Sequence, residues 1–407
     1  MIPMRIIPVS SGKGGVGKTT FSLNLALTLS KYKRTVLIDM DAGTSSLRKF
    51  LKMPIEKDIY HFLKKDVPIE SCLTPLDTNL DPEGLFRRFR LVASPKSFIH
   101  EIVNLSQPMK EKLIRGINSL GADFVIMDIK AGLDSQVMDF LPVNNTGILI
   151  FTPRVKAATK TAAEMVRAAL FKACRLVLNR DSRANPHISG VRTETLAEIN
   201  RQFDQLEGVD DRENANFDYF FREMGKRFKK NSVLNVMKQL VKTYKVYFVL
   251  NRFDSLQESA ENIVKPLVEE IGRSMSRKIS IHNLGWVVED DKIRKSGEYG
   301  IPYMVMQHYK KKKKNEEEER WDAYLRKMVG VGVKEVEEES KFSSDNEVTR
   351  QLDILGKMYV QGAGKDPETN FDFLGERIKD ITRSSIHDCG MKRILTPDVI
   401  LNLANRQ

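Results

Sequence analysis

The sequence predicts an α/β fold, a mostly parallel sheet with helices on both faces. Three observations predict it. Short apolar runs of strand length alternate with stretches of helical periodicity as far as Pro302. Two of those runs, TVLID at Thr35–Asp39 and DFVIMD ending at Asp128, close on an aspartate. A glycine-rich segment, Gly12–Thr19, stands between the first apolar run and the first helical one.

The elements follow in order. RIIPVS at Arg5–Ser10 reads as a buried first strand, although Pro8 brings no ladder hydrogen-bond donor. Phe21, Leu25, Ala26 and Leu29 recur at helical spacing and predict a helix over 20–30. Thr35–Asp39 is the second strand and 89–93 a weaker third. Residues 123–128 and GILIFT at 147–152 are strong strands, and an alanine-rich helix runs over 156–177. VYFVLN at 246–251 and LGWVV at 284–288 complete the strands. Between them 181–244 reads as an insertion, polar, with helix in its second half.

After Pro302 the character changes. Lys310–Lys314 is followed at once by Glu316–Glu319. We read 1–309 as the folded domain and 310–407 as a charged linker with a partly helical C-terminal tail. Residues 330–370 read as loop. Trp321, Tyr324, Leu325 and Met328 form one apolar stripe, and Thr396-Pro397-Asp398 is a helix start.

Composition narrows the chemistry. The 407 residues carry a net charge of +12, which favours acidic partners such as nucleotide, anionic lipid or nucleic acid. Cys72, Cys174 and Cys389 lie far apart, so no zinc ribbon or redox pair is expected. No apolar run reaches the ~20 residues of a membrane-spanning helix, and the N-terminus is unlike a signal peptide. The expected location is the cytoplasm.

Gly12-Lys13-Gly14-Gly15-Val16-Gly17-Lys18-Thr19 fits the pattern of a phosphate-binding loop. Glycines let backbone N–H groups approach phosphate oxygens, and the helix that follows points its positive end at the same anion. Lys18 is expected on the β- and γ-phosphates and the Thr19 hydroxyl on Mg²⁺. Asp39 and Asp128 end strands at the edge where ligands gather in open α/β sheets. Mg²⁺ needs only one or two carboxylates.

The second lysine of the loop, Lys13, goes beyond a simple phosphate loop. With Lys18-Thr19-Thr20 it resembles the deviant Walker A motif of the MinD/ParA family of P-loop ATPases. TVLIDMDAG at Thr35–Gly43, DFVIMDIKAG at Asp123–Gly132 and LGWVVEDDKIRKSGEYGIPYM at Leu284–Met304 resemble further segments of that family. The nearest branch is the MinD-like one that includes the flagellar-number regulator FlhG.

The resemblance implies ATP or ADP with Mg²⁺ as ligands, and slow, partner-stimulated hydrolysis. It implies an ATP-dependent homodimer in which Lys13 reaches the partner's nucleotide. Lys13, Lys18 and Asp41 take the catalytic positions, Asp41 holding the attacking water. Thr19, Asp39 and Asp128 match the magnesium shell. Asn251 matches the asparagine that reads the adenine edge, and Thr20, Arg252 and Pro302 fall among the nucleotide contacts. Asn179-Arg180 is a competing pair; Asn251 is preferred because it ends the clearer strand.

Two departures stand out: Lys130 replaces a small residue beside Ala131-Gly132, and Thr44–Leu47 lacks the Gly-x-Asn-Leu pattern. The branch implies a positioning switch for a flagellum or division site, with an activator or cargo protein. Peripheral membrane contact is a candidate, through the C-terminal helix. DNA is a second candidate, through Lys226, Arg227, Lys229, Lys230, Lys238, Lys242 and Lys245. A nucleotide-binding scaffold with little turnover is the alternative that Lys130 keeps open.

Overall fold

A computed structural model describes residues 4–41, 46–133, 138–142, 145–152, 156–179, 190–208, 216–253, 255, 259–313 and 366–382. Among these, eight strands form one sheet: β1 Arg5–Ser10, β2 Thr35–Asp39, β3 Thr74–Pro75, β4 Phe89–Val92, β5 Phe124–Asp128, β6 Asn145–Phe151, β7 Lys245–Phe253 and β8 Ser280–Val288. Their spatial order is β3-β4-β2-β5-β1-β6-β7-β8. All pairs are parallel except β3–β4. The helices are α1 Lys18–Ser30, α2 Ser46–Phe50, α3 Ile59–Lys64, α4 His100–Val103, α5 Gln107–Ser119, α6 Lys156–Leu178 and α7 Thr193–Glu207. They continue with α8 Phe217–Arg227, α9 Ser232–Thr243, α10 Lys265–Ser274, α11 Asp291–Tyr299, α12 Tyr303–Lys313 and α13 Pro367–Ile381.

The strands read as continuous apolar runs because both faces are covered. On one face Ile6, Val36, Ile38, Val125, Met127 and Leu149 share a core with α3 and α5–α10. On the other, Ile7, Val9, Leu37, Ile126 and Ile148 share a core with α1, α2, α12 and α13.

Pro8 lies in a central strand and is tolerated for a visible reason. The Arg5 N–H donates to Asp123 and the Ile129 N–H to Val9, so the odd residues of β1 face β5 and the even ones face β6. Pro8 therefore faces β6, where the register shifts between Asn145 and Ile148. Gly147 sits in that irregularity at φ 62°, and a Cβ there would lie 2.4 Å from the Pro8 carbonyl oxygen. Its N–H donates to the Asn145 side chain at 2.7 Å. The missing donor falls where the ladder is already interrupted.

The insertion is more helical than its polarity suggests. Helix α7 already occupies its first half, burying Leu196, Ile199, Phe203 and Leu206 along one stripe. Asn216 caps α8 and Asn231 caps α9 through side-chain bonds to Tyr219 and Leu234 N–H groups. Phe171 of α6 packs against Phe203 and Phe217 at ring distances of 5.0 and 4.9 Å. Three helices of the insertion thereby thicken the layer on α6.

The loop reading of 330–370 is corrected at its C-terminal end. Asp366 accepts from the Thr369 N–H and Pro367 opens α13. Phe371, Leu374 and Ile378, spaced three and four apart, are buried in the core that holds α1. Burial of each such side chain stabilises by roughly 2 kcal/mol. The Asn370 Oδ1 also accepts the Val288 N–H of edge strand β8, and Lys31 pairs with Asp372 at 3.0 Å. A helix from the C-terminal tail thus shares the core of the N-terminal domain.

Glu316–Glu319, the Trp321–Met328 stripe and the Thr396-Pro397-Asp398 helix start lie outside the described residues. Among the described residues no helix is long and apolar enough to cross a membrane.

Candidate nucleotide-binding site

The glycine loop joins the end of β1 to the start of α1, as its sequence position requires. Gly15 and Gly17 take φ values of 81° and 86°, and Gly17 is the left-handed residue from which α1 starts. A side chain there would also strike Asn251, whose Nδ2 lies 2.4 Å from a Cβ built on Gly17. Because Gly17 delivers the turn, α1 begins at Lys18, two residues earlier than the apolar spacing predicts. Lys13, Gly14 and Gly15 are exposed, Val16 and Lys18 are buried, and Thr19 and Thr20 are half-buried in the first turn. The Ser11 hydroxyl donates to the Lys13 carbonyl at 2.9 Å and Gly132 N–H to Ser11 at 2.9 Å.

Strand register brings the two aspartates together. Asp39 of β2 stands directly beside Asp128 of β5. Asp128 Oδ1 receives Lys18 Nζ at 2.5 Å and the Ser22 hydroxyl at 3.1 Å. Its Oδ2 is buried and has no hydrogen-bond partner. Asp39 accepts the Ser94 hydroxyl at 2.7 Å on Oδ2 and the Asp41 N–H at 3.0 Å on Oδ1. Burial pushes the Asp39 carboxyl up to about 7, and the neighbouring Asp128 adds to the effect. The Ser94 and Asp41 hydrogen bonds and Lys18 oppose it.

This donor set fits a magnesium ion. An orphaned buried carboxylate oxygen beside a second carboxyl is costly without a cation, and both are hard oxygen ligands. Asp39, Asp128 and the Thr19 hydroxyl are the groups that would hold the ion. The Gly12–Gly17 amides and Lys18 would hold phosphate.

The protein family described as "AAA domain" matches residues 4–168. The septum site-determining protein MinD of Synechocystis is 29% identical over 154 residues, 38% of this chain and 55% of that protein. The antiactivator FleN of Pseudomonas aeruginosa is 28% identical over 153 residues, 37% of this chain and 51% of FleN. Over residues 4–168 the chain is similar to MinD/ParA-family P-loop ATPases. The chain spans about half the length of the curated relatives it matches. Among solved structures, MinD from Pyrococcus horikoshii, complexed with Mg-ADP, has 17% identity and a TM-score of 0.42, covering 74% of this chain and 88% of that one.

Within this domain the expected residues separate into groups. Lys18, Asp39, Asp41 and Asp128 converge, with Thr19 adjacent to Lys18 in the chain. Asn251 reaches the loop from β7 by a different route: its Nδ2 donates to the Val16 carbonyl at 2.7 Å. In this arrangement the amide supports the loop, and reading a base would require exchanging that bond. Arg252, next in the chain, is exposed at φ 57°, where the β7–β8 register shifts. That bulge gives the two neighbours opposite fates. Pro302 is buried before α12, whose Met304 N–H donates to Asn24 at 3.0 Å. Asn24 is six residues along α1 from Lys18, about 9 Å. Lys130 is exposed at the same edge as Asp128.

Two participants escaped the sequence reading. Ser22 is four residues after Lys18, hence on the same face of α1, a signal that was available. Ser94 follows β4, and only the pairing of β4 with β2 brings it to Asp39.

Proposed function

We propose that this chain is an ATP-binding P-loop ATPase that hydrolyses slowly, dimerises on ATP and acts as a positioning or regulatory switch. One observation carries the reading: Lys18 and two register-paired aspartates converge at the mouth of a glycine loop, with one buried carboxylate oxygen unsatisfied. The P. horikoshii MinD complex with Mg-ADP fits this choice of ligand. Names of relatives, septum-site determination and flagellar antiactivation included, support a positioning role.

In this reading Lys18 leaves Asp128 to neutralise phosphate, and loop amides take the remaining charge. Magnesium, held by Asp39, Asp128 and the Thr19 hydroxyl, would supply neutralisation of the phosphate charge. Asp41, tied through its N–H to Asp39, holds the attacking water. Exposed Lys13 serves the nucleotide of a second subunit. The chain works in the cytoplasm, touching the inner membrane face peripherally, and a protein partner stimulates turnover.

A DNA-partition role is the second reading. Lys229, Lys230, Lys238 and Lys242 are exposed on or beside α8 and α9. Against it, Lys226 is paired with Glu223 and Arg227 with Glu198, which reduces the free positive charge.

Sizing the full chain with ADP and then with a nonhydrolysable ATP analogue tests the proposal. A monomer-to-dimer shift supports it. Failure to retain any purine triphosphate in magnesium overturns it. Phosphate release stimulated by anionic vesicles favours the membrane-linked switch, and stimulation by DNA favours partition. Dimerisation without turnover under any condition favours the scaffold alternative.

A further inference from the structure

A second cleft, of about 660 Å³, opens at the opposite edge of the sheet. Its floor is apolar, with Leu73 and Leu120, and its rim carries four arginines: Arg34, Arg87, Arg88 and Arg90. The start of β2 lines it, whereas the end of β2 carries Asp39. The five residues of that strand separate the two sites, about 13 Å.

Three of the four arginines lack the acids that usually accompany such a cluster. Arg34 has Asp123, with Nε 3.7 Å from Oδ2. Among the described residues, no carboxylate lies within ion-pair distance of Arg87, Arg88 or Arg90. Main-chain carbonyls anchor two of them instead. Arg88 Nη1 donates to Lys31 at 3.0 Å, and Arg90 Nη1 lies 2.7 Å from the carbonyls of both Arg87 and Phe89. These bonds hold the planar groups in place while leaving their charge unneutralised. Like charges converging on a low-dielectric wall raise the local potential and concentrate anions. Guanidinium forks match phosphate oxygens in pairs. The volume suits a small organic ligand.

We propose that this cleft binds an organic polyphosphate, its phosphates on the arginine rim and its apolar body against Leu73 and Leu120. The size favours a small molecule over an extended acidic peptide, which needs a longer groove.

The test is a site count by calorimetric titration with Mg²⁺–ATPγS on the full chain. Wild type takes up two equivalents. Arg87→Gln/Arg88→Gln, which changes two exposed side chains, takes up one. Lys18→Ala also takes up one, at the cleft. This second affinity weakens at least ten-fold between 50 and 300 mM salt. Should Lys18→Ala fail to fold, the arginine pair alone still decides. A single wild-type site that survives Arg87→Gln/Arg88→Gln overturns the proposal. So does a tetraglutamate peptide that binds the cleft more tightly than ATPγS. A single wild-type site abolished by the arginine pair and retained in Lys18→Ala upholds the cleft and instead removes the phosphate-loop reading.

Discussion

The two edges of the sheet treat charge in opposite ways. At the carboxyl edge Lys18, Asp39 and Asp128 are all buried, close together and only partly satisfied. At the amino edge Arg34, Arg87 and Arg88 are exposed to solvent, and Arg88 also donates to the Lys31 carbonyl. Burial makes the first edge an electrostatic device whose state depends on protons and cations, because each unneutralised charge there is costly. Exposure makes the second a passive attractor that costs little to keep. Substitutions should therefore hit the two edges very unequally.

The largest effect is expected from Lys18→Ala. It removes the cation from buried Asp128, which costs about 3–5 kcal/mol of stability. It also abolishes nucleotide binding at the glycine loop. Urea unfolding and ADP calorimetry measure the two losses separately. A variant as stable as wild type would mean that the ion pair at 2.5 Å carries no net stabilisation.

The next effect is a pH dependence set by Asp39. The folded carboxyl titrates at about 7 against 3.8 unfolded. The folded state therefore binds the extra proton between those values, so stability from this group is full below pH ~4. It declines as pH rises and is lost above pH ~7. The magnitude is on the order of a few kcal/mol. Asp39→Asn should flatten that slope in urea unfolding of metal-free protein, and an unchanged slope would move the titration to another group.

Asp41→Ala comes third. Nucleotide binding should persist while phosphate release falls about 100-fold, and the ATP-bound dimer should accumulate on sizing columns. Normal turnover in this variant would remove Asp41 from the water-holding role.

The smallest effect belongs to the other edge. Arg34→Ala breaks an exposed contact with Asp123 and should cost under about 1 kcal/mol. Its thermal midpoint should stay within a few degrees of wild type. A loss as large as that of Lys18→Ala would erase the contrast between the edges.

Local pattern made much of this legible. The alternation of apolar runs gave the parallel sheet, and the glycine loop fell between β1 and α1 as its spacing demands. The aspartates could be placed at strand ends because strands buried on both faces leave polar groups only at their tips. The part of α13 within 330–370 was hidden because charge and glycine surround it and its stripe has meaning only against α1 and β8. Helix α7 was hidden by polarity for the same reason.

By itself the sequence determined the local features: a glycine loop between a strand and a helix, two aspartates at strand ends, and a helical cover for each sheet face. These follow from period and spacing, which are local. Only the tertiary structure decided that Asp39 and Asp128 are register neighbours, that Ser94 and Ser22 serve them, and that Asn251 braces Val16. It also gathered four arginines around one cleft. Such contacts join residues tens to hundreds of positions apart, and strand order, which no local pattern encodes, determines which of them meet.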